Sequence, residues 1–164
     1  MYKKQKKIKY YPLAINLSDK NVVVVGGGVV AERKVKSLLE ARASVRVISL
    51  TATPALKRLA KDKKIIWARR FVEKSDVRDA FIVIAATNSA ETNKEVSRWA
   101  KEHKSWVNVV DKPLLSGFIS PAVLRTKEAL LAVYTDGRNP VLSRDLKNFL
   151  KEHWDEFLRY RNRL

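Results

Sequence analysis

Gly26, Gly27 and Gly28 stand between four consecutive valines, Val22 to Val25, and a stretch of helical periodicity that opens at Val29. From Gly26 to Ala31 the segment reads Gly-x-Gly-x-x-Ala. Such residues let a backbone turn tightly, approach a diphosphate closely, and aim the free N–H groups of a helix start at its charge. In this reading Gly26 allows the turn, Gly28 admits the pyrophosphate, and small Ala31 lets the helix lie close on the strand. Gly27, Val29 and Val30 complete the candidate phosphate loop. The competing reading is a glycine-rich turn with no ligand. A lone glycine motif says little; the strand before it and the helix after it give this one its weight.

Three other places carry candidate chemistry. Dinucleotide folds commonly end their second strand in Asp or Glu, which bonds the ribose, or carry an arginine nearby for a 2′-phosphate. Here that place reads Ile48-Ser49-Leu50-Thr51, with no acid and no arginine at the strand end, although Arg42 and Arg46 are near in sequence. Spacing therefore leaves NAD against NADP open, and Ser49 and Thr51 either bond the ribose or close a turn. Thr87 and Asn88 follow an apolar strand and either touch cofactor or cap the next helix. Asp111 follows another, where a carboxylate can take a proton from a bound substrate or merely occupy a pre-proline turn.

The elements that must position these residues are legible from periodicity. After Val22 to Val25, Ala31, Val35, Leu38 and Leu39 share one helix face, and Val45 to Ile48 alternates as a second strand. Thr53-Pro54 starts a short helix over 55–61. Ile65 to Trp67 reads as a third strand, Phe81 to Ala85 as a fully buried fourth, and Trp106 to Val110 as a fifth. Between the last two, Ser89 caps a helix to about His103 with Val96, Trp99 and Ala100 turned inward. Strands alternating with helices imply an α/β, Rossmann-type doubly wound parallel sheet over 1–113, of which 1–9 form a basic arm. The pattern changes at Pro113. Phe118 to Ser120 and Leu130 to Tyr134 are strand-like, and two such strands cannot bury both faces alone. Residues 114–139 are therefore expected to pair with a second subunit, and 140–164 to form a C-terminal helix starting at Asn139-Pro140. Its Leu142, Leu146, Phe149, Leu150 and Phe157 lie along one face.

Composition bounds the chemistry. The 164 residues contain no cysteine, which excludes disulfides and thiolate nucleophiles, and only His103 and His153, too scattered for a metal cluster. An apolar content of 46% suits a folded core. No apolar run is long enough to span a bilayer, and the lysine-rich start leads into no signal-peptide stretch, so a cytoplasmic protein is the simplest expectation. Lys and Arg total 34 against 17 acids, a net charge of +17. Such a field attracts nucleic acid, an anionic membrane or a small polycarboxylate, or simply keeps the surface solvated.

Taken together, the segments resemble the precorrin-2 dehydrogenase and sirohydrochlorin ferrochelatase family, the N-terminal module of siroheme synthases. The residues that carry the resemblance are Tyr11-Pro12-Leu13, Val25 to Gly28 with Val30, Ala31, Arg33 and Lys34, and Ala86-Thr87-Asn88 with Asn93. Asn108 to Asp111 with Pro113, Phe118-Ile119 with Pro121, and Asn139 to Leu142 follow in family order. The resemblance implies NAD⁺ as acceptor, a homodimer, Asp111 as the catalytic residue, and cofactor contacts at Val29, Val30, Leu50 and Thr51. Arg33, Lys34 and Asn108, all in matched motifs, are the candidates for holding the tetrapyrrole substrate. Some family members also insert iron into sirohydrochlorin, and the sequence leaves that open. Three departures stand out: Val29 is often acidic in the family, Thr135 replaces a serine of some relatives, and longer members continue beyond the final helix found here.

The implied function is NAD⁺-dependent oxidation of precorrin-2 to sirohydrochlorin. A substrate with eight carboxylate side chains suits a strongly cationic protein. The alternative is a non-catalytic nucleotide-sensing module whose basic surface binds nucleic acid or a protein partner. Against it, the chain carries no helix-turn-helix, zinc-finger or aromatic RNA-binding signature.

Overall fold

The computed structural model describes residues 8–110 and 112–163. The chain divides into two compact units, one spanning Pro12–Phe118 and the other built mainly from Ile119 onward.

The first unit is a five-stranded parallel sheet. Its strands are β1 (Asn21–Val25), β2 (Ser44–Ile48), β3 (Ile66–Ala68), β4 (Ile82–Ala85) and β5 (Trp106–Val109), in the order β3-β2-β1-β4-β5. Alternation of side chains along β1 builds both sides of the core. Val22 and Val24 pack with Ala31 and Val35 of α1 (Val29–Glu40) and Leu56 of α2 (Pro54–Lys61). Val23 and Val25 pack with Val96 and Ala100 of α3 (Ala90–Glu102). Each fully buried valine contributes about 1.5–3 kcal/mol of transfer free energy, which is why a continuous β-branched run settles in the middle of a two-sided sheet. A 3₁₀ turn at Lys74–Val77, not expected from periodicity, brings Val77 into the α3 side of the core. Arg70 clamps that turn: its guanidinium donates to both Asp76 carboxylate oxygens at 2.7 and 2.6 Å.

Helix starts follow their capping residues. The Thr53 and Ser89 hydroxyls accept from the backbone N–H groups of Leu56 and Thr92. Helix ends do not use glycine. Arg42, Lys63 and Lys104 take the left-handed conformation, with φ of 58°, 55° and 58°. The N–H of the residue after each returns to a helix carbonyl: Ala43 to Leu38, Lys64 to Leu59 and Ser105 to Ala100. This closure returns the chain toward the sheet at once, and a basic residue there complements the helix's negative end.

In the second unit, β6 (Ala122–Arg125) pairs antiparallel with β7 (Leu130–Val133), and two helices follow, α4 (Pro140–Glu152) and α5 (Trp154–Arg161). The expected strand at Phe118 to Ser120 does not form; the strand starts after Pro121. Proline brings no N–H to a ladder, and the Phe118 groups bond elsewhere: its N–H to the Val107 carbonyl and its carbonyl to the Asn108 amide. The C-terminal stretch comes as two helices, with His153 ending one and preceding the other. Leu142, Leu146, Phe149 and Phe157 are about half exposed, so the apolar stripe read from the sequence is left uncovered in this chain. Among the described residues no helix is long and apolar enough to cross a membrane.

Candidate active site

In an open parallel sheet, ligands bind beyond the carboxyl ends of the strands where the strand order reverses. Here β1 lies between β2 and β4, so the reversal falls between β1 and β4. The loops after these strands meet there. A Cβ on Gly26, whose φ is +120°, would stand 2.3 Å from the Ala86 carbonyl oxygen. Only glycine takes that φ without strain and also admits the neighbouring loop. The Gly26 N–H donates to the Ile48 carbonyl, and the Ala86 N–H to that of Val25, extending the sheet pairing into both turns.

Gly27, a wildcard in the motif, is the most confined of the three. A Cβ there would lie 1.9 Å from the Thr51 carbonyl oxygen and 2.7 Å from the Ser49 hydroxyl. The loop after β2 thus rests on the glycine turn, secured by the Thr53 N–H bonding the Gly27 carbonyl at 3.0 Å. Glu32 adds a tie from α1. Lys36, at 2.5 Å, and then Thr53 hold its carboxyl below the ordinary glutamate range. The Lys36 pair has the i,i+4 spacing of a helix face, whereas the Thr53 contact is revealed only by the packing of α1 against the loop.

Gly28 differs from both. It caps α1 in an extended conformation, φ −82° and ψ −174°, with no side chain capping the helix. A Cβ there would meet nothing within 4 Å. The start of α1 therefore opens onto free space, and Val29 beside it is 77% exposed. An uncapped helix N-terminus with an open approach fits the diphosphate of a dinucleotide. Ala31, fully buried, makes the close helix–strand contact expected of it.

The remaining sequence candidates divide by their partners. Ser49 accepts from the Trp67 indole N–H, at 3.1 Å to both its hydroxyl and its carbonyl oxygen, so the loop is braced by β3. Leu50, Thr51 and Asn88 are exposed at the same edge. Thr87 is engaged within the protein: the buried Asn93 side chain accepts from its hydroxyl at 2.8 Å and its N–H at 3.2 Å, and donates to its carbonyl at 3.0 Å. Asn93 therefore shapes the turn, and Ser89 does the capping. Asn108 is buried and holds the Phe118 carbonyl. Arg33 is exposed on α1 and Lys34 half-buried. Asp111 lies outside the described residues; Val110 before it continues the β5 pairing, its N–H bonding the Ala85 carbonyl. Although Ile48 to Thr51 holds no arginine, one reaches the end of β2 from elsewhere in the chain. Arg69, contributed by the chain after β3, donates from Nε to the Leu50 carbonyl at 3.3 Å. Among the described residues no group of three or more acids and histidines is arranged to hold a metal ion.

A family described as putative NAD(P)-binding matches residues 13–122. The chain is similar to the siroheme synthase of Vesicomyosocius okutanii, 38% identical over 140 residues, and to siroheme synthase 1 of Klebsiella pneumoniae, 41% identical over 138. These matches cover 85% and 84% of this chain but only 30% and 29% of the relatives' own lengths. Among solved structures it is similar to SirC, a precorrin-2 dehydrogenase, with a TM-score of 0.78 at 26% identity. That likeness covers 93% of this chain and 76% of the other.

Proposed function

Because the chain belongs to the putative NAD(P)-binding family, we propose that it is an NAD⁺-dependent dehydrogenase that oxidises precorrin-2 to sirohydrochlorin. The observation that carries this reading is the fold likeness to a precorrin-2 dehydrogenase, which extends beyond the dinucleotide sheet through almost the whole chain. The open, uncapped start of α1 behind a glycine turn supports the cofactor half of it.

NAD⁺, when bound, supplies the acceptor for the electrons removed from the substrate. The chain binds, orients and takes up a proton. The N–H groups of Val29, Val30 and Ala31 hold the pyrophosphate and Gly28 leaves it room, while Gly26 and Gly27 let the loops after β4 and β2 close on the turn. Ser49, Leu50 and Thr51 take the ribose, and Thr87 and Asn88 border the crevice. The oxidation removes two electrons and two protons' worth of hydrogen from the macrocycle, and Asp111 accepts the proton that does not travel with the electrons. Arg33 and Lys34 help to hold the substrate, with the +17 field drawing in its carboxylates, while Asn108, buried and bonded to the Phe118 carbonyl, positions the chain and does not touch the substrate. The cationic surface then serves a polycarboxylate in place of nucleic acid. The cytoplasm, where this cofactor is available, is the compartment that goes with the reading. The segment 114–139, with its β6–β7 pair, is the part that meets a second subunit in a homodimer, and the uncovered stripe on α4 and α5 adds apolar surface to that contact.

Anaerobic incubation with precorrin-2 and NAD⁺ tests the proposal: sirohydrochlorin and NADH should accumulate together. Asp111→Ala should keep the fold and NAD⁺ binding and lose turnover by about 10²–10⁴-fold. Undiminished turnover in that variant removes Asp111 from the mechanism, and absence of NADH with the folded unsubstituted chain overturns the function.

A further inference from the structure

We infer that the cradle accepts the 2′-phosphorylated dinucleotide NADP⁺ as well as NAD⁺, with the Arg69 guanidinium meeting the additional phosphate. The inference rests on the dinucleotide reading above and adds to it a specificity residue.

The chain just past β2 faces the adenosine ribose in this fold. An acid there bonds the ribose hydroxyls and repels a 2′-phosphate; a nearby arginine does the reverse. Ser49 to Ala52 contains no carboxylate. The acid that does approach this loop, Glu32, is already held by Lys36 and Thr53.

The arginine comes from the neighbouring strand. β2 and β3 are parallel with Ala68 opposite Ile48, so the residue after Ala68 falls at the same edge of the sheet as Ser49. That residue is Arg69, and its Nε bond to the Leu50 carbonyl holds the guanidinium at the end of β2. This contact uses one of five N–H donors. Among the described residues no carboxylate pairs with Arg69, and the side chain is exposed. Arg70, next in the chain, is committed to Asp76 and cannot substitute for it. The terminal guanidinium nitrogens of Arg69 are thus left to form a forked, charge-assisted contact with a phosphate monoester. Ser49 assists: its oxygen accepts from Trp67, which leaves its own proton to donate.

Calorimetric titration of the full chain with NAD⁺ and with NADP⁺, repeated for Arg69→Ala, tests this. The dissociation constant for NADP⁺ should lie within about thirtyfold of that for NAD⁺, and Arg69→Ala should lower the NADP⁺-to-NAD⁺ affinity ratio by about tenfold. 2′,5′-ADP should likewise lose its advantage over 5′-AMP. Good NAD⁺ binding with NADP⁺ more than about thirtyfold weaker overturns the inference and leaves the dinucleotide reading intact. A ratio that moves less than about threefold in Arg69→Ala also overturns it. If the folded chain binds neither nucleotide, the dinucleotide reading itself fails.

Discussion

Replacing Gly27 and Gly28 separately by alanine separates what the glycine turn does for folding from what it does for a ligand. In Gly27→Ala the new methyl would lie 1.9 Å from the Thr51 carbonyl oxygen and 3.0 Å from the Ala52 Cα. Both are backbone atoms of a loop already tied to the turn through Thr53, so the loop must retreat by roughly 1 Å or more to restore ordinary contact. Overpacking of this kind costs about 3 kcal/mol, or about 6–12 °C in Tm for a chain of this size. In Gly28→Ala the methyl meets no protein atom within 4 Å, and the backbone angles suit any residue. The loss of a favourable cap residue, a few tenths to 1 kcal/mol, is offset by the stiffer unfolded chain, about 0.4–1 kcal/mol. Stability should change by less than about 0.5 kcal/mol. Yet that methyl would fill the space before α1 where the pyrophosphate is proposed to sit, and NAD⁺ affinity should fall at least about tenfold. Thermal unfolding and calorimetric titration of the two variants read both effects. Gly28→Ala binding NAD⁺ as tightly as the unsubstituted chain would refute the placement of the diphosphate, and a Tm loss equal to that of Gly27→Ala would refute the packing argument.

Asp76 is buried, bonded twice by Arg70 and once by the Glu73 N–H, and these hold its carboxyl below the ordinary aspartate range. Its stabilisation is therefore complete above the unfolded-state pKa of about 3.9 and lost as pH falls through the lower folded-state value. Asp76→Asn should cost about 1–2 kcal/mol at neutral pH, the exposure of Arg70 reducing the loss, and should flatten the acid limb of a pH–stability curve. An unchanged acid limb would remove Asp76 from the balance. Sedimentation should give a dimer at micromolar concentration, and Leu146→Glu with Phe149→Glu should shift it to monomer; a monomeric unsubstituted chain would count against the subunit contact.

Much of the dinucleotide unit could be read directly. The valines of β1, the periodic faces of α1 and α3, and the caps Thr53 and Ser89 each express a local rule, and the five-stranded α/β sheet follows from their alternation. Helix ends were less visible, because Arg42, Lys63 and Lys104 occupy positions where glycine is the usual signal. The strand after Pro121 is not legible in the sequence because Phe118 and Ile119 look strand-like, while the partners that draw Phe118 elsewhere, Val107 and Asn108, are 10 or more positions away.

The candidate site shows the same division. Sequence alone determined that a glycine turn joins a buried strand to a helix, and that Ser49, Thr87 and Asp111 each follow a strand, since these depend only on neighbours along the chain. Tertiary structure decided that Gly27 is the confined glycine and Gly28 the open one, that Asn93 occupies Thr87, and that Arg69 reaches the end of β2. The Gly27 and Arg69 contacts arise from strand order and register, which bring together residues 18 or more positions apart, and no local periodicity encodes which strand will lie beside which; the Thr87–Asn93 contact spans six positions and is set by how the chain turns from β4 into α3.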